Sequence, residues 1–276
     1  MQISILGCGW LGFSLAKHLI KQGHAVKGST TSKDKIKELE NCGIEPYLVE
    51  FNPQLSTNHD VPNFWHSDVL VLNIPPGHRR NKVIDYHTKQ IQSVIEAISG
   101  SPIKFVVFIS STSVYPKLPG LVVEDDAIPG KAGRDSGNAL LQAEKMLTQA
   151  NNFETTVLRF GGLYGGDRHP TKYMAGRKNL SKANAPVNLI HRDDCIAIIT
   201  QLVEEKITGE IFNAVADNHP TRKEYYTKAA EALGLKPPTF KQNEQEKKYK
   251  VVSNMKLKKI LPYSFIYPEP IIPFHD

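Results

Sequence analysis

Cysteine is scarce in this chain: the three present (Cys8, Cys42 and Cys195) form neither a CxxC pair nor a disulfide framework, which favours a reducing compartment. Long apolar runs are missing too, since nothing approaches the ~20 residues a membrane-spanning helix requires. The opening Met1-Gln2-Ile3-Ser4-Ile5-Leu6 enters structure at once, without the basic start and cleavage site of an export signal. A soluble, cytoplasmic protein is expected. The ten histidines show neither HxH nor HExxH spacing, so no metal site is expected. GxSxG and GxxxxGK[ST] segments are absent, which removes the corresponding hydrolase and phosphate-loop chemistries.

Charge of one sign is not gathered into blocks. The net charge is +6, from 34 Lys+Arg against 28 Asp+Glu, and the densest basic stretch, Lys241 to Lys250, also holds two glutamates. That stretch reads as a solvated loop or strand entry, and no nucleic-acid partner is expected. The excess suits an anionic small ligand better. What the chain does have is ordinary globular composition, 40% hydrophobic and 22% charged over 276 residues. It can bury a core, as one large domain or two modest ones, and is neither disordered nor repetitive as a whole.

Hydrophobic periodicity alternates between strand and helix. Strands are expected at Gln2–Leu6, Ala25–Ser29, Tyr47–Val49, Val69–Ile74, Ile103–Ile109, Thr155–Arg159 and Glu210–Ala214. Helices are expected at Gly12–Gln22, Lys33–Cys42, Lys82–Ile98, Ser136–Gln149, Asp193–Glu204 and Thr221–Leu233. Gly23 and Gly43 stand where helices close. Pro116–Arg134 and Gly161–Asn184 read as long loops, of a length that is often functional. The tail from Pro237 is broken up by prolines. The expected fold is α/β: a Rossmann-type doubly wound parallel sheet with a small C-terminal α/β substrate lobe. The Rossmann domain spans 1–160, with the chain returning to it around 190–215, and the lobe spans 161–276.

Gly7-Cys8-Gly9-Trp10-Leu11-Gly12 is a GxGxxG sequence placed directly after the first strand and at the start of the first helix. There the first glycine permits a tight turn, the second lets backbone approach a pyrophosphate, and the third lets helix pack on strand. The helix N-terminus then offers N–H groups and partial positive charge to the anion. Cys8 reads as a small residue filling this loop, not as a nucleophile. A dinucleotide is therefore expected, held by Gly7, Gly9, Trp10, Leu11 and Gly12, with Asn73, Ile74, Pro75, Ser110, Gly161 and Leu163 further along its path. At the end of the second strand an NAD site usually carries a carboxylate for the ribose 2′-hydroxyl. This chain reads Thr30-Thr31-Ser32-Lys33 instead, which tolerates a 2′-phosphate, so NADP is preferred over NAD. Thr31 or Ser32 can also cap the next helix, with Asp34 completing a capping box.

Phe108-Ile109-Ser110-Ser111-Thr112-Ser113-Val114-Tyr115 resembles the SSxSVY segment of extended short-chain dehydrogenases/reductases, the NAD(P)-dependent epimerase/dehydratase group. Four more segments resemble that family in order: the stretch around Glu124, Arg159–Gly165 (like R-x-x-N-x-Y-G), Ile190–Asp194 (like I-H-V-x-D) and Glu210–Asn213. The glycine loop departs from the usual GxxGxxG and matches atypical members. A larger departure lies on the catalytic helix, where the family's Y-x-x-x-K pair falls on Ser136 and Leu140. No tyrosine stands between Tyr115 and Tyr164 to replace it.

The family tyrosine moves a proton in step with hydride transfer, and a serine is far too weak an acid to do so. The resemblance implies that Ser111 orients a substrate oxygen, with the proton supplied by His169, Tyr115 or Tyr164. Histidine changes charge near neutral pH, and Arg168 and His169 fall where family members contact substrate. Two roles follow from the resemblance. One is an oxidoreductase acting on a hydroxyl or carbonyl compound, with a nucleotide sugar as the substrate class. The other is a non-catalytic NADP(H)-binding sensor or regulator. Family members often form homodimers through helices such as Lys82–Ile98 and Ser136–Gln149.

Overall fold

The computed structural model describes residues 1–56, 61–77, 82–242 and 249–270. The first half of the chain folds as β1 (Gln2–Leu6), α1 (Trp10–Lys21), β2 (Ala25–Thr30), α2 (Ile36–Asn41), β3 (Glu45–Leu48), α3 (Val61–Phe64), β4 (Val69–Leu72), α4 (Val83–Ile98) and β5 (Phe105–Ser111). There follow β6 (Gly120–Val122), α5 (Asp135–Thr148), β7 (Glu154–Phe160), β8 (Gly162–Tyr164), β9 (Leu189–His191) and α6 (Arg192–Glu204). The last elements are β10 (Ile211–Ala214), α7 (Arg222–Ala232), β11 (Lys250–Val252) and α8 (Met255–Ile260).

The most apolar strands take the middle of a seven-stranded sheet of order β10-β7-β5-β4-β1-β2-β3. β1 pairs in parallel with β2 and β4, β2 with β3, and β4 with β5. All of Val69–Leu72 is buried, as a parallel strand covered on both faces must be. The covering helices supply matching stripes: Leu11, Leu15 and Leu19 on α1, and Val83, Ile91, Val94 and Ile98 on α4. Successive strands proceed one way from β1 to β3 and the other way from β4. The carboxyl ends of β1 and β4 therefore flank the crevice in which such sheets bind ligands. The expected Rossmann-type doubly wound fold is borne out.

The chain divides into two compact units. The first comprises Met1–Pro116, Ala127–Arg159 and Ile198–Ile211, and the second Lys117–Asp126, Phe160–Ala197 and Phe212–Asp276. In the second unit β8 pairs with β9 and β6 with β11, both in parallel. A hydrophobic cluster there includes Tyr164, Leu189, Tyr225 and Tyr226. Asp194, fully buried, accepts hydrogen bonds from the Tyr263 hydroxyl at 2.7 Å and from the Ile266 and Tyr267 amides at 2.7 and 3.1 Å. One carboxylate thereby ties the segment 263–267 to the start of α6. No helix among the described residues is long and apolar enough to cross a membrane, and none of their His, Cys, Asp and Glu side chains group to hold a metal ion.

The structure corrects several expected elements. Lys33–Cys42 is not one helix: Lys33–Lys35 forms a 3₁₀ turn and α2 starts only at Ile36. The capping box on Thr31 is absent: Ser32, not Thr31, stands at the N-cap of the 3₁₀ turn and makes no side-chain cap, and its amide donates to the Thr30 hydroxyl at 3.1 Å. The loop expected at Pro116–Arg134 contains β6, that at Gly161–Asn184 contains β8, and the proline-broken tail contains β11 and α8. Each of these strands is three residues long, and β6 pairs with a partner more than a hundred residues away in sequence, so no local periodicity announces them. β5 extends to Ser111, two residues beyond its expected end, which makes both serines part of the strand. Most of the Lys241–Lys250 stretch, residues 243–248, lies outside the described residues.

Replacing Asp194 with alanine strands three donors. Each buried donor left unpaired costs roughly 1–3 kcal/mol, so a loss of about 3 kcal/mol or more is expected in urea denaturation. A loss below about 1 kcal/mol would show that the 263–267 tie adds nothing to stability.

Candidate functional site

The bend after β1 is built from backbone. Gly7 sits at φ +105°, its N–H donating to Ser29 Oγ at 2.8 Å, while the Asn73 side-chain amide donates to its carbonyl at 3.0 Å. The Cys8 amide adds a bond to the Ser29 carbonyl at 2.9 Å. Strand β2 and the end of β4 thus grip the bend from two sides. A Cβ on Gly7 would lie 2.5 Å from the Asn73 carbonyl oxygen, and one on Gly12 only 2.2 Å from that of Gly7. Neither position admits a side chain. Gly9 differs: its φ of −82° suits any residue, and a Cβ there would meet nothing within 4 Å.

Among the described residues nothing requires a glycine at position 9. A pyrophosphate lying against the backbone would, because a Cβ there would fill its space. Gly9 also begins α1 without a side-chain cap, which leaves the N-terminal end of a 12-residue helix to an anion. The residues present therefore fit a dinucleotide. Leu11 is buried, so its contribution to a ligand is its backbone; Trp10 is half-buried. Ile74 packs 3.5 Å from the position a Gly7 Cβ would take, beside exposed Pro75.

Around the end of β2, Thr30 is buried, Ser32 half-buried, and Thr31, Lys33 and Lys35 exposed. No carboxylate occurs before Asp34. The positive charge of Lys35 reaches the loop itself. Burial pushes the Cys8 thiol up to about 12, against smaller lowering effects from the Ser29 hydrogen bond and from Lys35. Cys8 is accordingly a packing residue, its sulfur under Gly28, where an added Cβ would lie 2.7 Å away.

At the end of β5 the two serines part. Ser110 is buried and donates to Glu144 of α5 at 2.5 Å. Ser111 is half-buried, and its oxygen accepts the Ser113 amide at 3.2 Å, which directs its proton elsewhere. Tyr115 is 2% exposed, and its hydroxyl accepts a hydrogen bond from Arg159 Nη1 at 2.9 Å. Ser136 and Leu140, at the family's tyrosine and lysine positions, are both buried. Sequence reasoning missed Ser29 and Glu144 as members of this region, and placed Arg159 in a family-like segment without its partners. For Glu144 a signal existed, since it falls one helical turn after Leu140 on the buried stripe of α5.

The remaining expected residues belong to the second unit. Gly161 is buried and donates to the Ala214 carbonyl at 3.0 Å, and Leu163 lies half-buried in β8. Gly165 and Arg168 exchange two backbone hydrogen bonds, which leaves Arg168 exposed beyond a tight turn. His169 is half-buried ahead of a 3₁₀ turn at Pro170–Tyr173. Tyr164 is buried edge-on to His191, with ring centroids 5.0 Å apart. Burial, followed by the fields of Tyr225 and Asp194, raises its pKa well above the ordinary phenol value, which makes it a poor proton donor.

The model of a family described as NAD(P)H-binding matches residues 7–206. Protein YeeZ of Escherichia coli K12 is 32% identical over 272 residues, 98% of each chain. Among solved structures, UDP-glucuronic acid 4-epimerase from Bacillus cereus superposes with a TM-score of 0.76 at 20% identity, over 96% of this chain and 94% of that one. A short-chain dehydrogenase/reductase superfamily protein from Agrobacterium tumefaciens gives 0.77 at 16%, over 96% and 92%. At these identities the structural likeness speaks for the fold alone.

Gly9→Ala should leave stability within about 0.5 kcal/mol of wild type while weakening NADPH binding tenfold or more. Gly12→Ala should destabilise the protein outright. Equal affinities of wild type and Gly9→Ala, measured by calorimetric titration, would show that no ligand occupies the space beside Gly9. Cys8, with about one thiol in ten thousand ionised at pH 8, should resist iodoacetamide in the folded protein, as peptide mass spectrometry would show.

Proposed function

From the premise that the chain belongs to the NAD(P)H-binding family, as an atypical extended short-chain dehydrogenase/reductase, we propose that it is an NADP(H)-dependent oxidoreductase of the cytoplasm. Its substrate is a hydroxyl or carbonyl compound, with nucleotide sugars as the first class to try. When bound, the nicotinamide supplies or accepts a hydride. The chain's own residues bind and orient. The glycine bend and the start of α1 hold the pyrophosphate, and Thr30, Thr31, Ser32, Lys33 and Lys35 receive the 2′-phosphate, since none of them repels it. Ser111 hydrogen-bonds the substrate oxygen.

The observation that carries this reading is the Ser111 hydroxyl. It stands at the carboxyl end of β5, on the sheet edge that also bears the glycine bend, and its lone pair is engaged by the Ser113 amide. Its O–H is thereby left to donate to an oxygen. His169 is the proton source we favour, because Tyr115 is sealed against Arg159 and Tyr164 is held protonated by burial. The UDP-glucuronic acid bound by the Bacillus cereus epimerase supports nucleotide sugars as the starting panel.

A second reading, a non-catalytic NADP(H)-binding regulator, is favoured by one specific observation. The positions of the family's acid and its lysine are a buried serine and a buried leucine, so α5 can neither donate nor assist a proton transfer.

Two measurements separate the possibilities. Lys33→Glu/Lys35→Glu should raise the NADPH Kd at least tenfold, about 1.4 kcal/mol, and change the NADH Kd less than twofold; equal losses would remove the 2′-phosphate argument. On a panel of nucleotide sugars and simple carbonyl compounds, hydride exchange from deuterated NADPH should occur and fall at least tenfold in Ser111→Ala and in His169→Ala. Tight binding with no exchange on any compound would decide for the regulator.

A further inference from the structure

Helix α5 brings neither the tyrosine nor the lysine of the family to this site, yet its inward face carries a charge. Glu144 is 2% exposed and meets Arg159 of β7, itself 3% exposed. Arg159 Nη2 donates to Oε2 at 2.7 Å, and Nε lies 3.1 and 3.2 Å from the two carboxylate oxygens. Taking such a pair out of water costs several kcal/mol per ion, and an apolar pair of similar volume often does as well or better for stability. Burial by itself would lower the Arg159 pKa, but the hydrogen bonds and charges of Glu144 and Tyr115 outweigh it and raise the value. The guanidinium is thus held charged, with Glu144 and the Tyr115 hydroxyl among its partners.

What the pair holds beyond itself is specific. Glu144 Oε1 accepts the Ser110 hydroxyl at 2.5 Å, and Arg159 Nη1 donates to the Tyr115 hydroxyl at 2.9 Å, with the guanidinium carbon 5.2 Å from the centre of the Tyr115 ring. Ser110 and Tyr115 are the two ends of the turn that contains Ser111. Between them, Thr112–Val114 forms a 3₁₀ turn. Its Ser113 carbonyl lies against the backbone of Gly137 on α5, so closely that a Cβ there would be 2.3 Å from the oxygen. The segment is gripped at its start, its middle and its end, and α5 or its ion-pair partner is involved each time.

We propose that the buried Glu144–Arg159 pair is a positioning device that fixes both ends of the Ser110–Tyr115 segment and so aims the Ser111 hydroxyl. Glu144 and Arg159 are positioning residues, not catalytic ones. Helix α5 acts on the site through geometry where its relatives act through proton transfer. The inference rests on the reading of Ser111 as the group that faces bound substrate beside the nicotinamide.

The test avoids Glu144 itself, since its removal leaves a buried guanidinium uncompensated. Ser110→Ala and Tyr115→Phe each delete one hydroxyl at nearly constant volume. In the double variant, amide hydrogen exchange at Ser113 should accelerate at least tenfold, with β1 and α1 unchanged. The Kd for NADPH should stay within twofold of wild type, while the change in nicotinamide emission on binding falls by half or more. Restoring one hydroxyl as Ser110→Thr/Tyr115→Phe should recover part of both signals. Unchanged Ser113 exchange and unchanged emission in the double variant, whatever its melting temperature, would overturn the proposal. Wild-type protein that binds no NADPH would instead sink the functional reading, and the exchange rates would still decide whether the clamp exists.

Discussion

At the end of β1 the chain must turn inside a space bounded by the Asn73 carbonyl on one side and by the first turn of α1 on the other. The space is too small for a side chain at Gly7 or Gly12, so the bend can form only with glycine at both. Once formed, it exposes the start of a helix at the crevice between β1 and β4, where the strand order reverses. Ser29 and Asn73 complete the bend by satisfying the Gly7 amide and carbonyl, groups that would otherwise be left unpaired in a tight turn. The open space at Gly9 is then left for a ligand. Two glycines are required by the fold, and the third suits what the fold would bind.

The same sheet edge shows how polar groups are redistributed when an acid is lost. A tyrosine and lysine on α5 would face the site and be wetted by substrate. Ser136 and Leu140 are instead packed away, and the helix keeps its charge one turn further in, where Glu144 meets Arg159. A buried ion pair is a poor source of stability but a precise one of position, because its directional bonds fix the atoms attached to it. Here those atoms are the Ser110 and Tyr115 hydroxyls.

Much of this was legible in the sequence because it is local. The glycine loop directly follows an apolar strand and opens a helix, and the strand–helix alternation through Ile109 follows from periodicity alone. The short strands were not legible: β6 at Gly120–Val122 exists only because Lys250–Val252 lies beside it. The start of α2 was misread because Lys33–Lys35 takes a 3₁₀ turn before the α-helix begins at Ile36, a distinction that residue type alone does not settle. Within the site, Ser111 and Tyr115 were found by motif, but the motif does not say that one faces outward and the other is sealed. That difference comes from Arg159, which follows Tyr115 by more than forty residues and approaches it only through the pairing of the sheet.

Holding the cofactor and supplying a proton are consequently separable in the proposed site. Every group proposed to hold the cofactor's phosphates comes from backbone, or from hydroxyl and lysine side chains that follow β1 and β2, and none depends on α5 being an acid. The proton must come from a side chain that is both accessible and able to release it near neutrality. Burial excludes Tyr115 by access and Tyr164 by energy, since the phenolate of a desolvated tyrosine beside Tyr225 and Asp194 is strongly disfavoured. Ser136 is far too weak an acid to give its proton, and Leu140 has none to give. On the proposed reading, the groups that hold the cofactor therefore sit in the most local elements of the chain, and the proton comes from outside the helix that carries the family's tyrosine and lysine.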